Sequence, residues 1–180
     1  MTGYALLLRG VNLGGKTALA MPDLRDCLTD LGFTDVQTVL RSGNAVFSAD
    51  AEPDEAAIEA ALASRTGLRT RCLVRTGPQL QAVIDGHPFR DIADNGSRMQ
   101  AIFLEANPDP AVAAEHDPVA LDPDRIRVGD HVVYQWCPDG ISKAPNVIAL
   151  LDRKWKLVGT ARNWNTVTKL ADLVAQRPTA

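Results

Sequence analysis

Aromatic residues are scarce, at 5% of the chain. Modules that bind single-stranded nucleic acid stack bases on aromatics along their strands, and aromatics this scarce offer a base little to stack on. Cysteine is confined to Cys27, Cys72 and Cys137, 45 and 65 residues apart. An odd count with no C-x-x-C pair argues against a disulfide framework, so buried thiols are expected. His87, His116 and His131 lack H-x-x-x-H spacing, so neither a metal site nor a cofactor is expected. No apolar run approaches the ~20 residues needed to cross a bilayer. The first residues lack a basic region leading into an apolar stretch and a cleavage site, so no secretory signal is read. The cytoplasm is the expected location, with no membrane partner.

The net charge is −3, but it is unevenly placed: residues 1–140 hold 12 Lys and Arg against 20 Asp and Glu, whereas residues 141–180 hold 7 against 2. The overall acidity disfavours strong non-specific DNA binding. The basic end is suited either to phosphate or to the acidic remainder of the chain.

The pattern of apolar residues defines the elements. YALLL (4–8) reads as a buried strand, and PDLRDCLTDLG as a helix with Pro22 in its first turn and Gly32 at its stop. VQTVL (36–40) and NAVFS (44–48) flank a hairpin turn near Ser42-Gly43-Asn44. PDEAAIEAALASRTG reads as a helix ending at Gly67, and LRTRCLVR (68–75) as a strand. The order is βαββαβ. It predicts an α+β fold whose first subdomain, residues 1–76, is ferredoxin-like: an antiparallel sheet with both helices on one face. Residues 77–98 read as a helical connector. Residues 99–180 repeat the element order as a related α+β unit, with strands at 99–104, 125–128, 131–136 and 157–162. Short helices are expected within 107–124 and through PNVIALLDRKW, and a last helix over Thr166–Gln176.

Gly10 followed by Gly15-Lys16-Thr17 spells G-x-x-x-x-G-K-T, the phosphate-binding loop of nucleotide hydrolases. Its context argues against that activity. The helix should begin at the Gly-Lys-Thr, so that its first N–H groups face the phosphates, yet Pro22 places the helix start later. The sheet should be parallel, yet a hairpin follows. What survives is a loop whose glycines expose backbone N–H groups, with Arg9, Asn12 and Lys16 adding donors; a plain strand–helix connection explains the glycines equally well. A second polar segment is TARNWNT, Thr160 to Thr166. Asn165 or Thr166 is expected to cap the last helix, which leaves Arg162, Asn163 and Trp164 without a role, and Lys169 follows about one turn later.

The stretches LLLRGVNLGGK, MPDLRDCLTDLGF, RSGNAVF and TARNWNTVTKL together resemble DUF1697, an uncharacterised and mostly bacterial family. The resemblance runs from about residue 4 to 176. It implies an α+β fold with two subdomains and no established activity. Its motif positions fall on Arg9, Gly10, Asn12, Gly14, Gly15 and Lys16, on Ser42, Gly43 and Asn44, and on Arg162, Asn163, Trp164, Asn165 and Thr166. Arg41 stands where the family often has Gln. Ser142-Lys143 lies in a loop similar to one in the family, with Ala144-Pro145 replacing Leu-Thr.

Three functions fit these residues. The first is binding of an anionic ligand where the motifs converge, with Arg9, Lys16 and Arg162 supplying charge and Asn12, Asn44 and Asn163 directed hydrogen bonds. The few aromatics favour a phosphorylated small molecule or nucleotide over a nucleic-acid polymer. The second is a structural or protein-interaction module in which the motifs hold the subdomains together. The third is a metal-independent enzyme using Ser42 or Ser142 with Lys16 or Lys143. The oligomeric state is left open.

Overall fold

The structure is a computed structural model, and it describes residues 1–177; residues 178–180, the end of the expected second subdomain, lie outside them. The chain divides into two compact units, one of residues 1–80 with those from Lys169 onward, the other of Gln81–Thr168.

In the first unit, β1 (Thr2–Leu8) is buried on both faces beyond its first residue, as its unbroken apolar run requires. A single 3-10 turn at Gly15–Thr17 leads to α1 (Met21–Asp30), which has proline in its first turn and buries Leu24, Cys27 and Leu28. Strands β2 (Thr34–Val39) and β3 (Asn44–Ala49) form the hairpin. Helix α2 (Glu55–Thr66) is capped by the Asp54 carboxylate, which accepts from the Ala56 N–H, and it stops at Gly67 with φ 73°. Strand β4 spans Cys72–Thr76, so residues 68–71 of the expected strand precede it. Thr76 and Gln79 then exchange hydrogen bonds across the first turn of α3 (Gly77–Asp85), at 2.9 and 3.3 Å, a reciprocal cap. The sheet order is β2-β3-β1-β4, all pairs antiparallel. Leu6 and Leu8 of β1, Phe47 of β3, and Leu24, Leu28, Ile58 and Leu62 of α1 and α2 share one core cluster. Truncating any of these leucines to alanine should cost about 2–5 kcal/mol.

The second unit holds β5 (Met99–Leu104), α4 (Pro110–Glu115), β6 (Ile126–Gly129) and β7 (Val132–Trp136). A 3-10 turn at Ile141–Lys143 leads to α5 (Val147–Leu150), which widens into a π-helical turn over Leu151–Trp155. Strand β8 (Gly159–Asn163) follows, and then α6 (Trp164–Ala175), whose residues from Lys169 onward belong to the first unit. The sheet order is β6-β7-β5-β8, again antiparallel. Ile102, Leu104, Ile126 and Val133 pack against Val147, Leu151 and Trp155. The last helix begins two residues before its expected start. Consequently Asn163, not Asn165 or Thr166, is its cap, with Oδ1 accepting from the Thr166 N–H at 3.0 Å.

Candidate functional site

Register decides what meets the Gly-rich loop. Leu7 pairs with Asn44, and Leu8 with Cys72. The end of β1, the β2–β3 turn and the segment entering β4 therefore share one end of the first unit's sheet. Backbone bonds tie them there: Leu8 N–H donates to Gly43 O at 2.8 Å and Arg9 N–H to Arg71 O at 2.9 Å. The Thr70 hydroxyl donates to Arg9 O at 2.6 Å.

Within the loop the main organiser is Asn12, held at φ 55°. Its Nδ2 donates to Arg41 O and, at 3.1 Å, to Leu19 O, while its Oδ1 accepts from the Leu19 N–H at 2.8 Å. One amide thus pins both ends of the loop and the hairpin turn. Thr17 closes the tip, its hydroxyl accepting from the Leu13 N–H at 3.1 Å and donating to Gly14 O at 2.9 Å. That bonding, together with the late start of α1, sets the loop apart from a nucleotide-hydrolase P-loop. Gly10, Gly14 and Gly15 all have positive φ, and a Cβ at any of them would meet open space. Glycine is needed there for backbone conformation rather than for room. Gly43 differs: besides φ 83°, a Cβ would lie 2.3 Å from Val11 Cγ2.

Asn44 is fully buried, its Nδ2 donating to Val39 O and Ser42 Oγ, each at 3.0 Å. Lys16, Ser42 and Arg41 are exposed. Ser42 takes this hydrogen bond from an amide, not from a lysine. Lys16, Arg41 and Arg69 make no ion pair among the described residues, whereas Arg71 pairs with Glu59 at 3.0 Å. The sheet end therefore gathers Arg9, Lys16, Arg41, Arg69 and Arg71. Arg69 and Arg71 were not among the expected site residues, and Arg41 stood out only as a departure from the family pattern. Their signal was the alternation of basic residues in LRTRCLVR and the Arg in the turn, which gain meaning only once the register is known.

The second unit's segment has a different character. Arg162 is 7% exposed and lies within β8, donating to Thr160 Oγ1 and Ala161 O at 2.8 Å each. Burial pulls its guanidinium down to about 10. The charge expected to reach a ligand is buried. Arg75 of β4 sits alike, 8% exposed and lowered by desolvation, with Glu55 opposing. Asn163 caps α6, and Trp164 N–H donates to Gly96 O at 2.9 Å while its ring lies 4.2 Å from His87. A Cβ at Gly96 would fall 2.2 Å from Asn165 Oδ1. Thr166 is buried, whereas Lys169 is exposed. Ser142 and Lys143 are exposed on their own 3-10 turn, introduced by Gly140 at φ 100°. All three cysteines are buried, and burial raises the Cys27, Cys72 and Cys137 thiols, the last to about 11. At neutral pH these thiols are held in the unreactive protonated form.

Two four-stranded antiparallel sheets with six α-helices among the described residues make this an α+β protein. Residues 1–134 match the family described as a protein of unknown function (DUF1697), and the chain belongs to it. It is also similar to a conserved bacterial protein from Streptococcus pneumoniae, with 23% identity and a TM-score of 0.71 over 98% of this chain and 99% of that one. This likeness concerns the fold alone. No curated protein matches. No described helix is long and apolar enough to cross a membrane.

Proposed function

We propose that the cationic end of the first unit's sheet binds a phosphate-bearing small molecule or nucleotide. One observation carries this reading: the register brings Arg9, Arg41 and Arg71 to one sheet end, next to Arg69 and to the loop that carries Lys16, whose glycines face open space. Asn12 holds the loop by its ends, which leaves the tip to the ligand. The first amides of the 3-10 turn have no acceptor within the turn and lie beside Lys16. Cationic side chains and fixed backbone donors are the usual partners of phosphate oxygens. A ferredoxin-like sheet is part of this reading, since β4-β1-β3-β2 is the order that βαββαβ topology gives. A cytoplasmic setting fits a ligand of this class.

Titration calorimetry of the full chain with inorganic phosphate, pyrophosphate and nucleotides tests the proposal. Binding should weaken with salt. Lys16→Ala and Arg41→Ala should each weaken it about tenfold or more, the worth of one charge-assisted hydrogen bond. Both side chains are exposed, so the melting temperature should stay nearly constant.

A second reading rests on its own observation. The amides of Asn12, Asn44 and Asn163 all bond this chain's own backbone, which is what a structural or protein-interaction module would use them for. Heat of binding absent for every phosphate compound would favour it.

A further inference from the structure

Beside the cationic sheet end, the first unit has a groove of about 460 Å³ between α2 and the segment entering β4. Its walls are Ala56, Ala60 and Ala63 of α2 on one side, and Arg69, Thr70 and Arg71 on the other, with Glu59 between. The alanines recur at helical spacing and offer methyl groups only. Ala56 and Ala60 are exposed. The groove's arginine end adjoins the Gly-rich loop directly, because Arg9 N–H bonds Arg71 O and Thr70 Oγ1 bonds Arg9 O.

Two occupants fail on chemistry. An added β-strand needs the outward N–H groups of β4, but Cys72 N–H donates to Glu59 Oε1 at 2.8 Å and Val74 N–H to Glu55 Oε1 at 2.7 Å. A nucleobase would look for an aromatic face, and the lining has none. What remains is an aliphatic body laid on the alanines, joined to an anion among the arginines. The volume falls in the range of small-molecule sites, which are largely apolar with a few placed polar groups.

We propose that the ligand is an aliphatic phosphate monoester, its phosphate at the Arg69 end of the groove, where Arg71 pairs with Glu59, and its chain along Ala56, Ala60 and Ala63. This rests on the anion-binding reading above and adds the nature of the group that carries the phosphate. Such an ester could be a free metabolite or a lipid headgroup. From Ala56 to Ala63 the alanine face is only about 10 Å long, too short to cover the acyl chain of a lipid, so the free ester is the source.

Calorimetry with the full chain compares inorganic phosphate with hexyl phosphate. Hexyl phosphate should bind at least about tenfold more tightly, since each buried methylene adds to affinity. Ala60→Phe fills the groove from an exposed position. It should erase the hexyl advantage and leave phosphate affinity unchanged; Ala56→Phe is the second blocking variant should the first fold poorly. Vesicles of phosphatidylcholine doped with phosphatidic acid should not sediment the protein. Equal affinities for the two phosphates, an advantage that survives both blocking variants, or vesicle binding without a hexyl advantage would each overturn the inference while leaving anion binding standing. Failure of both phosphates to bind would instead remove the parent reading.

Discussion

In the first unit, Leu8 N–H donates to Gly43 O at 2.8 Å and Arg9 N–H to Arg71 O at 2.9 Å; in the second, Leu104 N–H donates to His131 O at 2.9 Å and Glu105 N–H to Val158 O at 3.0 Å. The same corner is built twice, at the exit of the central strand. An asparagine ties it to the hairpin turn each time: Asn12 reaches Arg41 O, and Asn107 reaches Asp130 Oδ1 at 2.6 Å and accepts from the His131 N–H at 2.7 Å. The buried arginines also correspond, Arg75 opposite Ala5 and Arg162 opposite Ala101. Charge is what differs. Arg9 of one corner is Glu105 in the other, and its carboxylate accepts from the Val158 N–H at 2.7 Å, closing the edge strand. An eleven-residue Gly-rich connection with a lysine at its tip stands where the second unit has the short Ala106-Asn107-Pro108-Asp109. Topology fixed the corner and left its chemistry open, so function is to be sought in the loop rather than in the sheet.

The largest expected effect breaks the correspondence at its turn. Gly43 has φ 83° and no room for a Cβ against Val11, whereas the matching His131 carries a side chain at φ 55°. Gly43→Ala should cost about 3 kcal/mol or more, from combined strain and overpacking. His131→Gly should change stability by about 1 kcal/mol or less, since relief of a left-handed backbone offsets the loss of the exposed contact between His131 Nδ1 and Asp130 Oδ1. Urea unfolding of both variants measures this. Equal losses would mean that the close approach of Val11 does not set the first turn apart from the second.

The asparagines sharpen the same comparison at lower cost. Asn12→Ala leaves Arg41 O and both backbone groups of Leu19 short of a partner, a loss of about 2 kcal/mol. The more exposed Asn107→Ala should lose about 1 kcal/mol. Phosphate affinity separates them further: it should fall for Asn12→Ala, whose loop is no longer held open, and stay unchanged for Asn107→Ala. A matched fall in both would detach the Gly-rich loop from ligand binding.

The element order was legible because it rests on local rules. Pro22 and Gly32 bracket α1, Asp54 and Gly67 bracket α2, and alternating β-branched residues mark the hairpins. Where local signals overlapped, boundaries moved. LRTR looks like strand, but Thr70 and Arg71 bond Arg9 instead of extending β4. Asn163, Asn165 and Thr166 can each cap a helix, and only the extent of β8 selects the first. The site was half legible. The motif spacing pointed to the loop and the Ser-Gly-Asn turn, yet the direction of each amide depends on contacts 29 residues away, as between Asn12 and Arg41. Arg162 drew attention as a cation while Arg75 did not, although strand register buries both.

The smallest effect concerns acid. Histidine occurs at positions 87, 116 and 131, all in the second unit. His87 has its ring against Trp164 at 4.2 Å, and its Nδ1 accepts from the Phe89 N–H at 3.2 Å. Burial, and then the Arg90 charge, lower its affinity for a proton below the ordinary 6.5. A base depressed in the folded state binds protons more readily when unfolded. The stability it supports is therefore present above 6.5 and is lost as pH falls through the folded value. Protonation also removes the acceptor that Phe89 uses. Denaturant unfolding between about pH 7.5 and about pH 5, followed by tryptophan fluorescence, should show a loss that His87→Gln reduces. With Trp136, Trp155 and Trp164 all in the second unit, the fluorescence reports the half that titrates. An undiminished loss in the glutamine variant would place the acid sensitivity elsewhere than in this ring.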